Sequence, residues 1–405
     1  CIIATNRSRI EVGSDMGSPE VREDEVVREV AGLRRALIAW YRREHRDMPW
    51  RRTRDAYRVW VSEIMLQQTQ VVTATPYWLR FMERFPTVTA LADAPRDEVL
   101  AAWAGLGYYR RARLLHEAAG IVVREHGAQV PSDPSAFAAL PGVGRYTLGA
   151  VLSISFGRPL PVLDGNVARV LSRWTGRPLV VKRPADAKVL WAMAEALMPA
   201  APRGRSGIAP GDWNQALMEL GATICTPRSP ACERCPVRRH CVAHATGRQD
   251  ELPPPADRRA VVKVRRAVAL VRHGERTLLV RRAGAHLDGL WEPPGVELAR
   301  GEDAATRLGE VLDALGLRTT LTRTRTRFAH TITHNAIDVQ VWRGTLAGRA
   351  PRGSSRARWT SASGDGLALT ALAKRLLTAE DTSASNVRRA RPRARMKPKR
   401  TPRAR

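Results

Sequence analysis

Long apolar runs are missing. No stretch of 18 or more apolar residues occurs in the 405-residue chain, so a membrane-spanning helix has no candidate segment. The opening residues, CIIATNRSRIEVGSDM, lack a basic stretch followed by an apolar one, so no export leader is expected. With nothing to indicate export, disulfides among the five cysteines are not expected either. Lysine is scarce, at six of the 67 basic residues, and acids are outnumbered: 39 Asp and Glu leave a formal net charge of +28.

What abounds is arginine. A coding bias would account for part of the excess, but a chain this positive attracts polyanions whatever its origin. The last 18 residues, RRARPRARMKPKRTPRAR, hold ten basic residues and no acid. Such a tail is expected to be disordered and to add non-specific nucleic-acid affinity.

The pattern changes along the chain. Residues 1–28 are polar and irregular, which predicts a disordered segment. From Val30, apolar residues recur at helical spacing (Leu33, Leu37, Trp40, Tyr41), and helical patterns broken by Pro and Gly continue to residue 222. Residues 29–222 are therefore read as an all-α domain. A cysteine-rich segment at 223–245 follows, then a Pro-rich linker at 246–262. Beyond it, RRAVALVRHGERTLLVRRAG reads as a hairpin turning at His-Gly, DAATRLGEVLDALG as a helix and IDVQVWRGTL as a strand. This predicts an α+β domain over 263–378 and a basic tail over 379–405.

Four cysteines, Cys225, Cys232, Cys235 and Cys241, lie in a 17-residue segment with the spacing C-x6-C-x2-C-x5-C. Four thiolates can hold one zinc ion or one [4Fe-4S] cluster. A single C-x2-C hook with two wider gaps departs from the paired hooks of zinc ribbons and leans toward the cluster.

Asp133-Pro134 is a helix-start signal, and ALPGVGRY (139–146) turns that helix into another. Gly142 and Gly144 allow positive φ and a close approach to a ligand, and amides opening a helix suit a phosphate; a plain helix–helix turn has the same sequence. Glu63 stands in the apolar stretch VWVSEIML. Buried, it would be an acid near neutral pH; on a solvated helix face it would be ordinary.

The ordered motifs PWR (49–51), SEIMLQQTQV (62–71), GLGYYRRAR (105–113), LPGVGRYT (140–147), LDGNV (163–167) and NQALMELGATIC (214–225) resemble those of MutY-type adenine glycosylases, within the helix-hairpin-helix DNA glycosylases. The resemblance spans about residues 30–378. It implies an all-α helix-hairpin-helix domain with a [4Fe-4S] loop on the four cysteines, followed by a nudix-like domain that reads the lesion. It implies a monomer acting on duplex DNA with adenine opposite 8-oxoguanine or G, in the cytoplasm of a bacterium or the nucleus of a eukaryote.

Carried onto this sequence, Glu63 would protonate adenine, Asp164 would stabilise the oxocarbenium-like sugar, and Asn166 would orient Asp164. Tyr146 stands where related lyases carry a Schiff-base Lys, so base removal without strand cutting is implied. Trp50, Arg51 and Gln215 would line the adenine pocket. Gln68 and Tyr108 would wedge into the duplex, and Gly142 and Gly144 would hold its backbone. The aromatic-Arg run GYYRR suits a DNA surface. In the second domain, Phe328 and His330 match a lesion-reading loop whose family Ser is Ala329 here. Its helix offers Glu310 and Asp313 without the paired Glu that nudix hydrolysis needs.

Overall fold

The computed structural model describes residues 23–378 apart from 201–206, 256–259, 284–286, 333–334, 349–352, 362–363 and 365; the basic tail expected at 379–405 lies outside them. The first part is helical: α1 (Glu23–Glu44), α2 (Ala56–Leu66), α3 (Val71–Arg84), α4 (Val88–Asp93), α5 (Arg96–Ala102), α6 (Arg110–Glu125), α7 (Pro134–Ala138), α8 (Arg145–Phe156), α9 (Gly165–Thr175), α10 (Pro184–Leu197), α11 (Pro210–Thr223) and α12 (Val242–Ala245). No described helix is long and apolar enough to cross a membrane. Helix α1 starts within the segment expected to be disordered.

The helices form two cores. One gathers α2 to α7 around Trp60, Phe81, Trp103 and Phe137. The other joins α1 to α9, α10 and α11 around Leu37, Leu171, Trp213 and Leu220. Helix α8 serves both, with Val151 and Leu152 in the first and Ala150 in the second. Side-chain caps mark the joints: Asp55 caps α2, Asp133 caps α7 and Asp164 caps α9, each leaving fewer orphan amides. The seam between the cores thus lies between α2 and the start of α9.

The segment read as a Pro-rich linker is docked in part. Leu252 is buried, and its carbonyl accepts a 2.8 Å hydrogen bond from Arg173 Nε.

The second part is a seven-stranded sheet with β1 (Val262–His273), β2 (Arg276–Arg281), β3 (Trp291–Glu292), β4 (Gly295–Leu298), β5 (Thr319–Ile332), β6 (Asn335–Leu346) and β7 (Ala357–Thr360), and with helices α13 (Ala304–Asp313) and α14 (Ala371–Thr378). The order is β3-β2-β1-β6-β5, with β4 added on β1 and β7 on β2. Strands β1 and β6 run parallel. The run AVALV in β1 is continuously apolar because both faces are covered. Ala267, Ala269 and Val271 pack toward α13, whereas Val268 and Leu270 pack toward α14. The expected hairpin is β1–β2, with Arg272 opposite Thr277.

The two parts touch. Leu290 is buried within the first helical core and Leu287 packs against it. Around them Asp288 pairs with Arg96 at 3.0 Å, and Arg281 pairs with Asp97.

Candidate active site

Glu63 lies on α2 with 5% of its surface exposed, so the solvated-face alternative does not hold. Tyr146, in the first turn of α8, donates from its hydroxyl to Glu63 Oε2 at 2.8 Å and lies 3.2 Å from Met218 Sδ. Burial pushes the Glu63 carboxyl up to about 7; the Tyr146 hydrogen bond works against this, and the charge of Asp164 adds to it. The phenol of Tyr146 is itself raised well above its usual value, by burial and then by Glu63 and Asp164. The three residues therefore sense one another across the seam.

Asp164 is held by more donors than Glu63. Its Oδ1 accepts from the Val167 amide at 2.7 Å, and its Oδ2 accepts from Asn166 Nδ2 at 3.0 Å. Burial raises its pKa, against the lowering effect of these hydrogen bonds. A carboxylate fixed at a helix N-terminus is favoured in its charged form. The pair can thus divide the two protonation states between them.

Behind Asp164, Asn166 Oδ1 accepts from Arg169 Nη2 at 2.9 Å. The Arg169 guanidinium also reaches the Gly221 carbonyl at 2.6 Å and the Cys225 carbonyl at 2.7 Å. A side chain at 221 would not fit: a Cβ there would sit 2.7 Å from Asn166 Cβ. Glycine lets α11 close on α9 at the residue that holds Asp164. Neither Arg169 nor its role stood out in the sequence, although its i+3 spacing from Asn166 places both on one helix face.

Arg51 donates to Glu219 Oε2 at 2.8 Å, and Arg46 Nε reaches Glu219 Oε1 at 2.7 Å. Glu219 is 1% exposed. Burial alone would raise its carboxyl, but the Arg46 hydrogen bonds and the Arg51 charge bring it to about 2. The sequence analysis missed Glu219 and Arg46; the one signal was an acid inside the apolar helix NQALMELG. Trp50 is buried in the first core, edge-on to Trp78 with centroids 5.8 Å apart. Gln215 is half-buried on α11.

A large cleft opens beside this cluster, between the two parts of the molecule. Gln68, Tyr108, Gly142 and Gly144 line it from the helical side, and Thr331, Ile337 and Val339 from the sheet. Glu63 and Asp164 are not on its wall, but Trp60 and Ile64, flanking Glu63 on α2, are. Gly142 has φ +80, as the turn requires. Gly144 does not take the expected positive φ: it is extended at φ −94 as the residue capping α8. Of the GYYRR run, Tyr108 and Arg110 are exposed, Tyr109 is buried, and Arg111 turns inward, so only part of it suits a DNA surface.

The expected lesion-reading loop is strand: residues 327–332 belong to β5. Phe328 is half-buried against the core facing α14, with Arg375 4.9 Å from its ring centroid. His330 pairs in register with the cleft-lining Ile337. Ala329 is exposed, opposite Asp338.

The four cysteines line one small cavity together with Arg173 and His244. None is in a disulfide. Burial pushes the thiols of Cys232, Cys235 and Cys241 up, Cys235 to about 12, and a bound metal group would favour their thiolates. Arg173 Nη1 lies 3.3 Å from Cys225 Sγ, as a donor to a thiolate would. Four thiols around one cavity match the four-thiolate set that a [4Fe-4S] cluster takes. Within the iron-sulfur segment, Cys225, Cys232, Cys235 and Cys241 would hold the [4Fe-4S] cluster, which when bound would supply iron–thiolate links that tie the loop together.

Residues 61–191 match the HhH-GPD superfamily of base excision DNA repair proteins. Residues 225–241 match the iron-sulfur binding domain of endonuclease III, and residues 267–379 match the NUDIX domain. Fold and site together define a helix-hairpin-helix protein of the base-excision class with a nudix-like second domain. The chain is similar to the adenine DNA glycosylase of Homo sapiens, 46% identical over 235 residues, which is 56% of this chain and 42% of that protein. It is similar to that of Arabidopsis thaliana, 38% identical over 321 residues, 69% of this chain and 50% of that one. A thermostable thymine-DNA glycosylase of known structure aligns at 30% identity with TM-score 0.48, covering 54% of this chain and 98% of that one. Over these regions the chain is similar to the MutY-type adenine DNA glycosylases of the helix-hairpin-helix superfamily. It spans about half the length of the curated relatives it matches.

Proposed function

We propose that this protein binds duplex DNA in the cleft and, as a monomer, removes adenine opposite 8-oxoguanine or guanine by hydrolysing the N-glycosidic bond. The observation that carries the reading is the buried cluster of Glu63, Tyr146 and Asp164. Glu63, near pKa 7, keeps a proton to give to the departing base. Tyr146 occupies Oε2, which leaves Oε1 free to face adenine. Asp164 stays charged at the start of α9, aligned by Asn166, and stabilises the positive sugar. Arg51 and Gln215 contribute to the base pocket. Gln68 and Tyr108 fill the space that the extruded base leaves, and Phe328 and His330 read the opposite strand. A phenol cannot form a Schiff base, so the strand stays intact.

A single-turnover assay on duplexes with A opposite 8-oxoguanine, A opposite G and thymine glycol tests this. Wild-type protein is expected to release adenine without nicking. Glu63→Gln is expected to lose roughly 10²–10⁴-fold in rate while still binding; near-normal turnover would refute the assignment. Ala329→Ser is expected to raise the preference for 8-oxoguanine over guanine several-fold, roughly the worth of one hydrogen bond. An unchanged ratio would remove this position from lesion reading.

A further inference from the structure

Arg111 lies in the first turn of α6, directly behind the cleft wall, and its guanidinium is bound on two sides. Nη1 donates to the carbonyls of Ile64 at 2.8 Å, Met65 at 3.0 Å and Gln67. Nη2 reaches Thr69 Oγ1 at 3.3 Å, the Gly107 carbonyl at 3.3 Å and the Leu106 carbonyl at 3.5 Å. Its carbon lies 5.4 Å from the ring centroid of Tyr108 and 5.5 Å from that of Trp103. Burial lowers its pKa to about 10, which leaves it charged at neutral pH.

Two of these carbonyls have a special place in the chain. Gln68 has φ +59 and Tyr108 φ +47, the left-handed region that side chains other than glycine rarely enter. Such backbone persists only where the surroundings over-determine it. The peptide plane before each residue sets where its φ starts, and Arg111 holds both planes, through the carbonyls of Gln67 and Gly107. Both residues are exposed and both line the cleft. Two of the remaining bonds, to the Ile64 and Met65 carbonyls, go to the last turn of α2, the helix that carries Glu63, and the other two go to Thr69 and Leu106 in the two loops.

We propose that Arg111 is a positioning residue: one guanidinium fixes the two left-handed turns that present Gln68 and Tyr108 side by side, and ties that pair to the helix of the acid. The inference rests on the reading of Gln68 and Tyr108 as the residues that enter the duplex. Lysine would keep the charge but not the function. Its donors radiate from one nitrogen, whereas the planar fork reaches two separate loops.

The test is a double-mutant cycle in the full chain. The duplex carries 2-aminopurine in the adenine position, whose fluorescence reports unstacking; an abasic-site duplex needs no base extruded. Arg111→Lys is expected to reduce the fluorescence rise and the single-turnover rate by roughly ten- to a hundredfold, as a small misplacement does, with little change in affinity for the abasic duplex. Added to Gln68→Ala/Tyr108→Ala, it is expected to cost little more, because the residues act as one unit. Equal loss on both duplexes, or full additivity in the triple variant, would overturn the proposal and leave Arg111 a general stabiliser. If instead Gln68→Ala/Tyr108→Ala itself leaves fluorescence and rate unchanged, the duplex-entry reading fails, and the proposal with it. Should Arg111→Lys not fold, Thr69→Val removes one contact of the fork and is expected to shift the fluorescence in the same direction by less; no shift would overturn the proposal.

Discussion

At the scale of single residues, the chemistry is set by how few donors Glu63 has. One phenol hydrogen-bonds it, whereas Asp164 has an amide and an asparagine. This has a consequence for stability. The carboxyl of Glu63 sits near 7 in the fold instead of 4.5. Between these values the folded protein keeps a proton that the unfolded chain has lost, so stability falls as pH rises and levels off above 7. Glutamine cannot ionise and still accepts from Tyr146. Glu63→Gln is therefore expected to match wild type near about pH 5 and to exceed it near about pH 8, by up to about 3 kcal/mol. Urea unfolding at the two pH values checks this, and a difference independent of pH would mean that Glu63 is not held neutral. The residue scale is also where the sequence said least. Glu63 and Asp164 stood out as polar residues in apolar runs. Glu219, Arg46 and Arg169 did not, and Arg111 was read as DNA surface, because nothing local marks a charge whose partners come from elsewhere in the chain. Arg46 and Glu219 are 173 positions apart.

At the scale of elements, turns and caps were the legible parts, since their signals are contiguous. Asp133-Pro134 starts α7, and His-Gly closes the β1–β2 hairpin, as read. The misreading came where tertiary contacts override local pattern: β5 extends through residues expected to form a loop, paired along β6. The hairpin before α8 allows a sharp check. A Cβ on Gly142 would lie 2.9 Å from Leu114 Cβ, at φ +80. Gly142→Ala is expected to destabilise the helical domain by about 1–3 kcal/mol through strain and overpacking, and to weaken duplex binding by moving the hairpin. Differential scanning calorimetry and a binding isotherm report the two effects separately; unchanged values for both would show that the α6–hairpin contact yields freely.

At the scale of the whole molecule, the cleft belongs to neither domain alone. Asp288, in the second domain, faces Arg96 and Arg113 of the first, and Arg113 lines the cleft. Asp288 is half-buried, and its pair with the more exposed Arg96 contributes little to stability, about 0.2–1 kcal/mol, but the two pairs decide how much positive charge the cleft offers to DNA. Asp288→Ala is expected to leave the melting temperature nearly unchanged and to tighten non-specific duplex binding at low salt. The log–log salt slope should become steeper by about one, as one more phosphate is neutralised. An unaltered slope would mean that Arg96 and Arg113 do not reach the backbone.

The second helical core also sets an order of events during synthesis. Leu33, Leu37 and Trp40 of α1 find their partners in Trp213, Leu220, Ile224 and Val237, nearly two hundred residues downstream. The core of α2 to α7 draws almost wholly on residues 48–154 and can close while the ribosome is still far from those partners. Contacts so distant in sequence form late. Until α11 has been made, α1 lacks its main partner, and the packing of α11 on α8 and α9 beside Asp164 has yet to form.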